Sequence, residues 1–337
     1  MQENRTVVNM ILAGDIGGTK TLLGIFDPRT PRPAAVLTRE FSTPAYADLT
    51  TMISDFAKEP AVNGALVGSA CFGIAGPVLG DTARLTNVPF IIDAQDIART
   101  FEIPRVTLLN DLEAMAHAVP LLDASELHVL QEGMPMPGTN AALIAAGTGL
   151  GQALLHRVDG RFIPSATEAG HADWAARGER DITLLRDLLE RFGRAEVEHV
   201  VCGAGLVNIH RVTHQGGQCA ALDGEDDPDA PARISAAALE RRCAGCVEAL
   251  SMFVDAYGAE AGNLALRTVA TAGVFIGGGI APKILPALED GRFMRAFTDK
   301  APFQQMLKQI PVRVILNSGA ALLGAAHVGA TRLTIPD

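Results

Sequence analysis

Residues 10–26, MILAGDIGGTKTLLGIF, decide the fold. An apolar run over residues 7–13 enters Gly14-Asp15-Ile16-Gly17-Gly18-Thr19-Lys20, and a second β-type run over residues 21–26 leaves it. The glycine loop therefore joins strand to strand. A dinucleotide fingerprint needs a helix at that place, and no Gly-x4-Gly-Lys-Ser/Thr occurs, so neither common nucleotide-binding loop is present. A second junction of this kind, Gly147-Thr148-Gly149-Leu150-Gly151, separates β-type runs over residues 141–146 and 153–158. A third cluster, Gly277-Gly278-Gly279, follows the run GVFI and precedes a helical pattern with Pro282 near its first turn. Loops without side chains let backbone N–H groups converge on an anion, so the first two suit phosphates and the third a nucleoside or its phosphates. Any one of them alone reads equally well as a hairpin turn or a helix–sheet contact.

Outward from these loops, further β-type runs at residues 66–73, 105–109 and 312–316 alternate with helical patterns at 111–119, 181–191, 236–257 and 319–328. That is an α/β chain with some strands paired as hairpins. Two strand-to-strand glycine loops suggest two related halves, and 337 residues suit about two domains. The stretch DGEDDPDAP, residues 223–231, has no apolar period and reads as a surface loop ahead of the long helix. No long linker is present, so two lobes are expected to pack closely about a hinge.

Composition removes several classes of function. With 38 acidic and 28 basic side chains the net charge is −10 and the pI about 5.3. No Lys/Arg run occurs, and nucleic acid is not an expected partner. Hydrophobic residues at 48% rule out general disorder, while no apolar run approaches the ~20 residues that span a bilayer, so no membrane is expected either. The opening MQENRTVVNMILAGD has one Arg and an apolar run cut short by Asp15, which does not read as a secretory signal. Five cysteines at irregular spacing point to reduced thiols and a cytoplasmic location. The 34 glycines are the unusual feature of the composition, and the three clusters hold the informative ones.

In order and spacing the clusters resemble those of the sugar kinase, actin and heat-shock ATPase superfamily, and within it the chain resembles the bacterial glucokinase family. The resemblance runs from GDIGGTK through NDLEAMAHAVPLL, AGTGLG, EAGH, VVCGAGLVNIHR and GVFIGGGIAPKIL to NSGAALLGAAH. It implies a two-lobed actin-like ATPase (ribonuclease H-like) α/β fold with an interlobe cleft. Residues 1–112 plus 318–337 would form a small lobe and 113–317 a large one, with the C-terminal helix crossing back to the first. It also implies ATP and Mg2+, a homodimer, and closure of the lobes on the sugar to exclude water.

Phosphorylating an alcohol requires a group that takes its proton, metal-bridged phosphates, and donors that neutralise charge on the transferred group. Asp111 stands where the run RVTLLN ends and the helical pattern DLEAMAHAV begins, an edge at which ligands meet open sheets, although Asp there can also simply cap the helix. By the resemblance, Asn110 and Asp111 bind sugar hydroxyls and Asp111 is the general base. Glu168 and His171 of Glu-Ala-Gly-His, Glu198 and, from the small lobe, Thr86 and Asn87 would contact the sugar. Asp15 would position Mg2+ through its water shell, its alternative being a turn residue. Gly17, Gly18, Thr19, Gly147, Thr148 and Gly149 would hold phosphates and Gly277, Gly278 and Gly279 the nucleoside. Lys20 reads either as a phosphate contact or as a surface charge.

Two departures qualify the resemblance. Ala169 replaces a glycine common in these glucokinases, and Thr19-Lys20-Thr21 is closer to a related group of sugar kinases. That group carries a zinc-binding cysteine cluster soon after its histidine, whereas HADWAARGERD follows His171 here, so structural zinc is not expected. Cys243-x-x-Cys246 falls inside a helix-like segment without a second Cys/His pair and reads as packing. The expected reaction is ATP-dependent phosphorylation of glucose at its 6-hydroxyl. The alternatives are another hexose, namely fructose, mannose or an N-acetylhexosamine, or a sugar-responsive regulator without catalysis. Such regulators carry a DNA-binding domain, while only about ten residues precede the first strand here.

Overall fold

A computed structural model describes residues 9–29, 32–85, 88–214, 219–222, 227 and 229–333. The chain divides into two compact units, residues 1–123 with 319–337 and residues 124–318. The division falls after Asp123, so the helix that begins at Asp111 stays whole within the first unit.

In the first unit β1 (Met10–Ile16) turns back into β2 (Lys20–Asp27), which pairs with β3 (Ala34–Ser42). On the other side of β1, β4 (Val67–Ile74) runs parallel. A small antiparallel sheet follows, β5 (Val78–Leu79), β6 (Thr82–Arg84) and β7 (Ile91–Asp93). The main sheet ends with β8 (Val106–Asn110), giving the order β3-β2-β1-β4-β8. Strand alternation explains its two covered faces. Leu12, Ile16, Leu23 and Phe72 face α1 (Leu49–Phe56) and α2 (Ala94–Phe101), while Ile11, Ala13 and Cys71 meet α3 (Asp111–Ala118) and the C-terminal helix Ala320–Leu333. That last helix is pinned to the sheet by Ser69 Oγ, which donates to the Gly329 carbonyl at 2.8 Å.

The second unit repeats the pattern. Its strands are β9 (Leu127–Gln131), β10 (Ala141–Ala146), β11 (Leu150–Val158), β12 (Arg161–Thr167), β13 (Gly273–Gly277) and β14 (Val312–Ile315). They lie in the order β12-β11-β10-β13-β14-β9, whose first five positions reproduce the first unit's directions: two antiparallel pairings, then two parallel ones. All six residues of β10 are buried, the pattern of a strand covered on both faces. Its helices include α4 (Glu179–Phe192), α5 (Gly203–His214), α6 (Ala230–Leu239) and α7 (Ala244–Thr268).

The single helix expected over residues 236–257 is therefore two. The chain leaves helical geometry at Arg241, whose φ is +56°, and restarts after Cys243. Apolar periodicity on both sides of so short a break hides it from sequence. Of the expected surface loop at 223–231, only Asp227 and residues 229–231 are described, the last two of which already belong to α6. Among the described residues no helix is long and apolar enough to cross a membrane.

Candidate active site

The first hairpin loop is a tight turn in which the Gly17 amide donates to the Lys20 carbonyl at 3.0 Å. Thr43 braces it from behind. Its hydroxyl donates to the Gly17 carbonyl at 2.7 Å and lies 2.9 Å from the buried Thr21 hydroxyl, while its amide donates to the Thr19 carbonyl. The amides of Gly18 and Thr19 have no hydrogen-bond partner among the described residues, and so remain available to an anion. Lys20 is exposed and ion-paired with Glu40 at 3.1 Å. Such a surface pair is weak enough to exchange for a phosphate.

Asp15 sits at the end of β1, paired with Gly73 of β4, and Gly73 in turn pairs with Leu109 of β8. Asn110 and Asp111 come next, so three adjacent strands deliver Asp15 and Asp111 to one sheet end. A Cβ on Gly73 would fall 2.8 Å from the Ala114 Cβ and 3.6 Å from the Asp111 Cα, so glycine here lets α3 start close against β4. Burial raises the Asp15 pKa from 3.8 to about 7; the negative charge of Asp111 adds to the rise and Lys20 opposes it. The cap of α3 is Asn110, whose side-chain oxygen accepts from the Leu112 amide at 2.9 Å. Asp111 follows as the first helical residue, and its own carboxylate also meets the Leu112 amide at 2.9 Å. The helix start therefore does not depend on Asp111 alone for its cap.

In the second unit the β10–β11 turn is closed by the Gly147 amide donating to the Gly149 carbonyl at 2.9 Å. The amides of Thr148 and Gly149 have no partner among the described residues. Gly203, at the start of α5, donates to the Gly147 carbonyl. The third cluster follows β13, and Gly278 has φ +83° and approaches β10 so closely that a Cβ would lie 2.2 Å from the Ala146 carbonyl oxygen. Only glycine meets both demands. The chain then forms a 3-10 turn, Ala281–Ile284, and a short helix, Leu285–Glu289, in place of one continuous helix from Pro282. Tyr257, fully buried on α7, accepts from the Ala146 amide at 3.3 Å and donates to the Gly277 carbonyl at 3.4 Å. It braces two glycine loops at once, and only the topology exposes that role.

The acidic and imidazole residues of this unit also converge. β12 ends at Thr167, and the 3-10 turn Ala169–His171 follows Glu168. The Glu198 amide donates to the Gly170 carbonyl at 2.9 Å, and the Glu198 carboxylate accepts from the Leu150 amide at 2.6 Å. Glu198 is thereby tied both to the Glu168–His171 turn and to the second hairpin. Glu196, missed by the sequence reading, places its carboxylate 3.1 Å from His171 Nδ1. Donor atoms of His171, Glu196 and Glu198 lie within 4.8 Å of one another. The hydrogen bond to Glu196 raises the His171 pKa above 6.5, with the charges of Glu198, Glu196 and Glu168 adding to it. Nothing local in the sequence marks Glu196: it makes an isolated bridge with Asp173 and the chain turns directly after it, so only the tertiary placement brings it to His171. Thr86 and Asn87 lie outside the described residues.

Two repeated units, each with a strand–glycine–strand turn, a paired Asp15 and Asp111, and a polar cluster rich in carboxylates define a sugar kinase of the actin-like ATPase fold. The glucokinase family model matches residues 12–332. A glucokinase of Synechocystis sp. is 39% identical over 94% of this chain and 96% of its own length, and one of Nostoc punctiforme 37% identical over 95% and 98%. A crystal structure of a glucokinase from an Antarctic psychrotroph superposes with a TM-score of 0.83 at 28% identity, covering 96% of this chain and 99% of that one. The chain belongs to the glucokinase family.

Proposed function

We propose that this chain transfers the γ-phosphoryl group of ATP to the 6-hydroxyl of glucose, with Asp111 as the general base. Family membership supplies the reaction, and the placement of Asp111 beside Asp15 at one sheet end carries the base assignment. In the step itself the acceptor oxygen attacks the γ-phosphorus, the bond to the β-phosphate oxygen breaks, and the hydroxyl proton passes to an Asp111 carboxylate oxygen. Asn110, Asp111, Glu168, His171 and Glu198 are the hydroxyl partners in this reading. Carboxylates, an amide and an imidazole pair a polyol's donors and acceptors, so an epimer leaves one of them unpaired.

The unpartnered amides of Gly18, Thr19, Thr148 and Gly149 would receive phosphate oxygens, and the loop Gly277–Gly279 the nucleoside. Mg2+ suits Asp15. Burial and Asp111 disfavour the ionised carboxylate, a nearby divalent cation would favour it, and a single carboxylate that leaves the ion its waters is a donor set this cation accepts. Bound with ATP, the ion would neutralise phosphate charge. The reading also carries a cytoplasmic location, in keeping with five unbridged thiols, and a homodimer.

The test is Asp111→Ala with Asp111→Asn, assayed against a hexose panel. Turnover is expected to fall by about 10²–10⁴ or more while ATP binding by calorimetry stays within about threefold. Near-normal turnover in either variant would sink the base assignment. A wild-type kcat/KM higher for fructose, mannose or an N-acetylhexosamine would replace glucose as the acceptor.

A further inference from the structure

Away from the glycine loops, three of the five cysteines and two histidines gather at one point in the second unit. Cys243 is the N-cap of α7 and Cys246 lies in its first turn, the two-residue spacing of a metal-binding knuckle. From the sequence alone this pair reads as packing, for want of a second Cys/His pair. The end of α5 and the chain between α5 and α6 supply one: His214, the last residue of α5, and Cys219 just beyond it. We infer that Cys219, Cys243, Cys246 and His214 form a structural site for a zinc-type divalent cation.

The distances fit four ligands about one ion. Zinc bonds of about 2.3 Å to sulfur and 2.0–2.1 Å to nitrogen, arranged tetrahedrally, place sulfur pairs about 3.8 Å apart and sulfur–nitrogen pairs about 3.5 Å apart. The Sγ of Cys219 lies 3.9 Å from that of Cys243 and 3.6 Å from that of Cys246. His214 Nε2 is 3.2 Å from the Cys243 Sγ.

The surroundings are prepared in the same sense. His214 Nδ1 lies 3.1 Å from the His210 carbonyl oxygen, so Nδ1–H donates there and Nε2 is left unprotonated toward the thiols. A metal-ligating histidine is commonly fixed by such an outer partner. Gly245 stands between the two knuckle cysteines, where a Cβ would lie 2.4 Å from the His214 ring, so the imidazole reaches the thiols only past a glycine. A donor atom of His210, one turn earlier on α5, lies within 4.8 Å of those of His214, Cys219 and Cys246. Its buried Nε2 has no hydrogen-bond partner. Three thiolates and one imidazole select zinc over the harder cations that oxygen ligands prefer.

Such an ion would tie the end of α5 and the chain beyond it to the start of α7, across the junction where the helix restarts. The inference does not depend on the phosphoryl-transfer reading. The test is metal analysis of full-length protein prepared without chelator and without a metal-binding tag. About one zinc per chain is expected in the wild type and in His210→Ala, and under a tenth of that in Cys243→Ser and His214→Ala. Cobalt substituted into the wild type should give the intense visible bands of a tetrahedral thiolate site, which Cys246→Ser loses. Chelation should lower Tm while glucose phosphorylation, assayed well below that Tm, keeps its kcat/KM. Wild-type protein that takes up neither zinc nor cobalt overturns the site. A disulfide between any two of the three cysteines, found by mass spectrometry under non-reducing conditions, overturns it as well.

Discussion

The two glycine hairpins occupy the same place in the same strand order, yet they meet charge differently. The β1–β2 turn carries its own carboxylate, Asp15, at the end of the strand, and is braced by the hydroxyls of Thr21 and Thr43. The β10–β11 turn has no ionisable residue between its strands; its carboxylate, Glu198, comes from far along the chain and accepts from Leu150. Its brace is the phenol of Tyr257. The same strand order thus goes with a pair of amides unpartnered among the described residues in each unit, and the chemistry is added separately. One hairpin has a charge built into its strand; the other has a charge bolted on from outside.

The comparison breaks first at Asp15. Asp15→Asn should lower turnover by about 10²-fold, because the remaining amide holds a hydrated cation poorly. The same change should raise the Tm of the ligand-free protein at pH 8 by a few degrees. The folded Asp15 pKa, about 7, exceeds its ordinary 3.8, so the folded state binds the extra proton and loses stability as pH climbs between those values. The gain should therefore shrink as the pH is lowered toward 4. A variant with a lower Tm at pH 8 would show that Asp15 is not an electrostatic burden on the free fold. Glu198 should behave otherwise. Glu198→Gln keeps an oxygen for the Leu150 amide and should leave Tm within a degree or two, while kcat/KM for sugar falls about tenfold through KM. Equal losses with Glu198→Gln and Asp15→Asn in kcat would erase the distinction between the two hairpins.

Much of this was legible in the sequence because it is written locally. A β-type run, a glycine cluster and another β-type run specify a hairpin whatever lies elsewhere, and both turns fall where those runs predict. The position of Asp111 at a strand end was legible for the same reason. What the sequence hides is carried by contacts between distant residues. Thr43 and Tyr257 look like ordinary loop and core residues until the topology sets them behind a turn. The strands of the β5–β7 sheet, two or three residues each, are too short to carry the apolar runs that mark β1 and β10, and β3 is mostly exposed along its nine residues. The thiol–imidazole cluster escaped because its ligands sit on either side of a helix break that apolar periodicity conceals.

The smallest expected effect concerns His171, where the sign of the pH argument reverses. Asp15 carries a penalty that grows with pH, whereas His171 gains a partner when protonated. The hydrogen bond to Glu196, followed by the charges of Glu198, Glu196 and Glu168, raises its folded pKa above 6.5. Whatever stabilisation this gives is complete below 6.5 and fades as pH rises through the folded value. Because the imidazole is about half exposed, with 52% of its side chain accessible, solvent screens the pairing and the effect on Tm should be undetectable. The readout is instead the imidazole itself. In Glu196→Gln the His171 midpoint, followed by NMR, should move down. Glu198→Gln should move the same midpoint less, since its contribution is charge at a distance rather than a direct hydrogen bond. A midpoint that moved more in Glu198→Gln than in Glu196→Gln would mean that the carboxylate tied to the second hairpin, and not the one beside the imidazole, sets the charge of this turn.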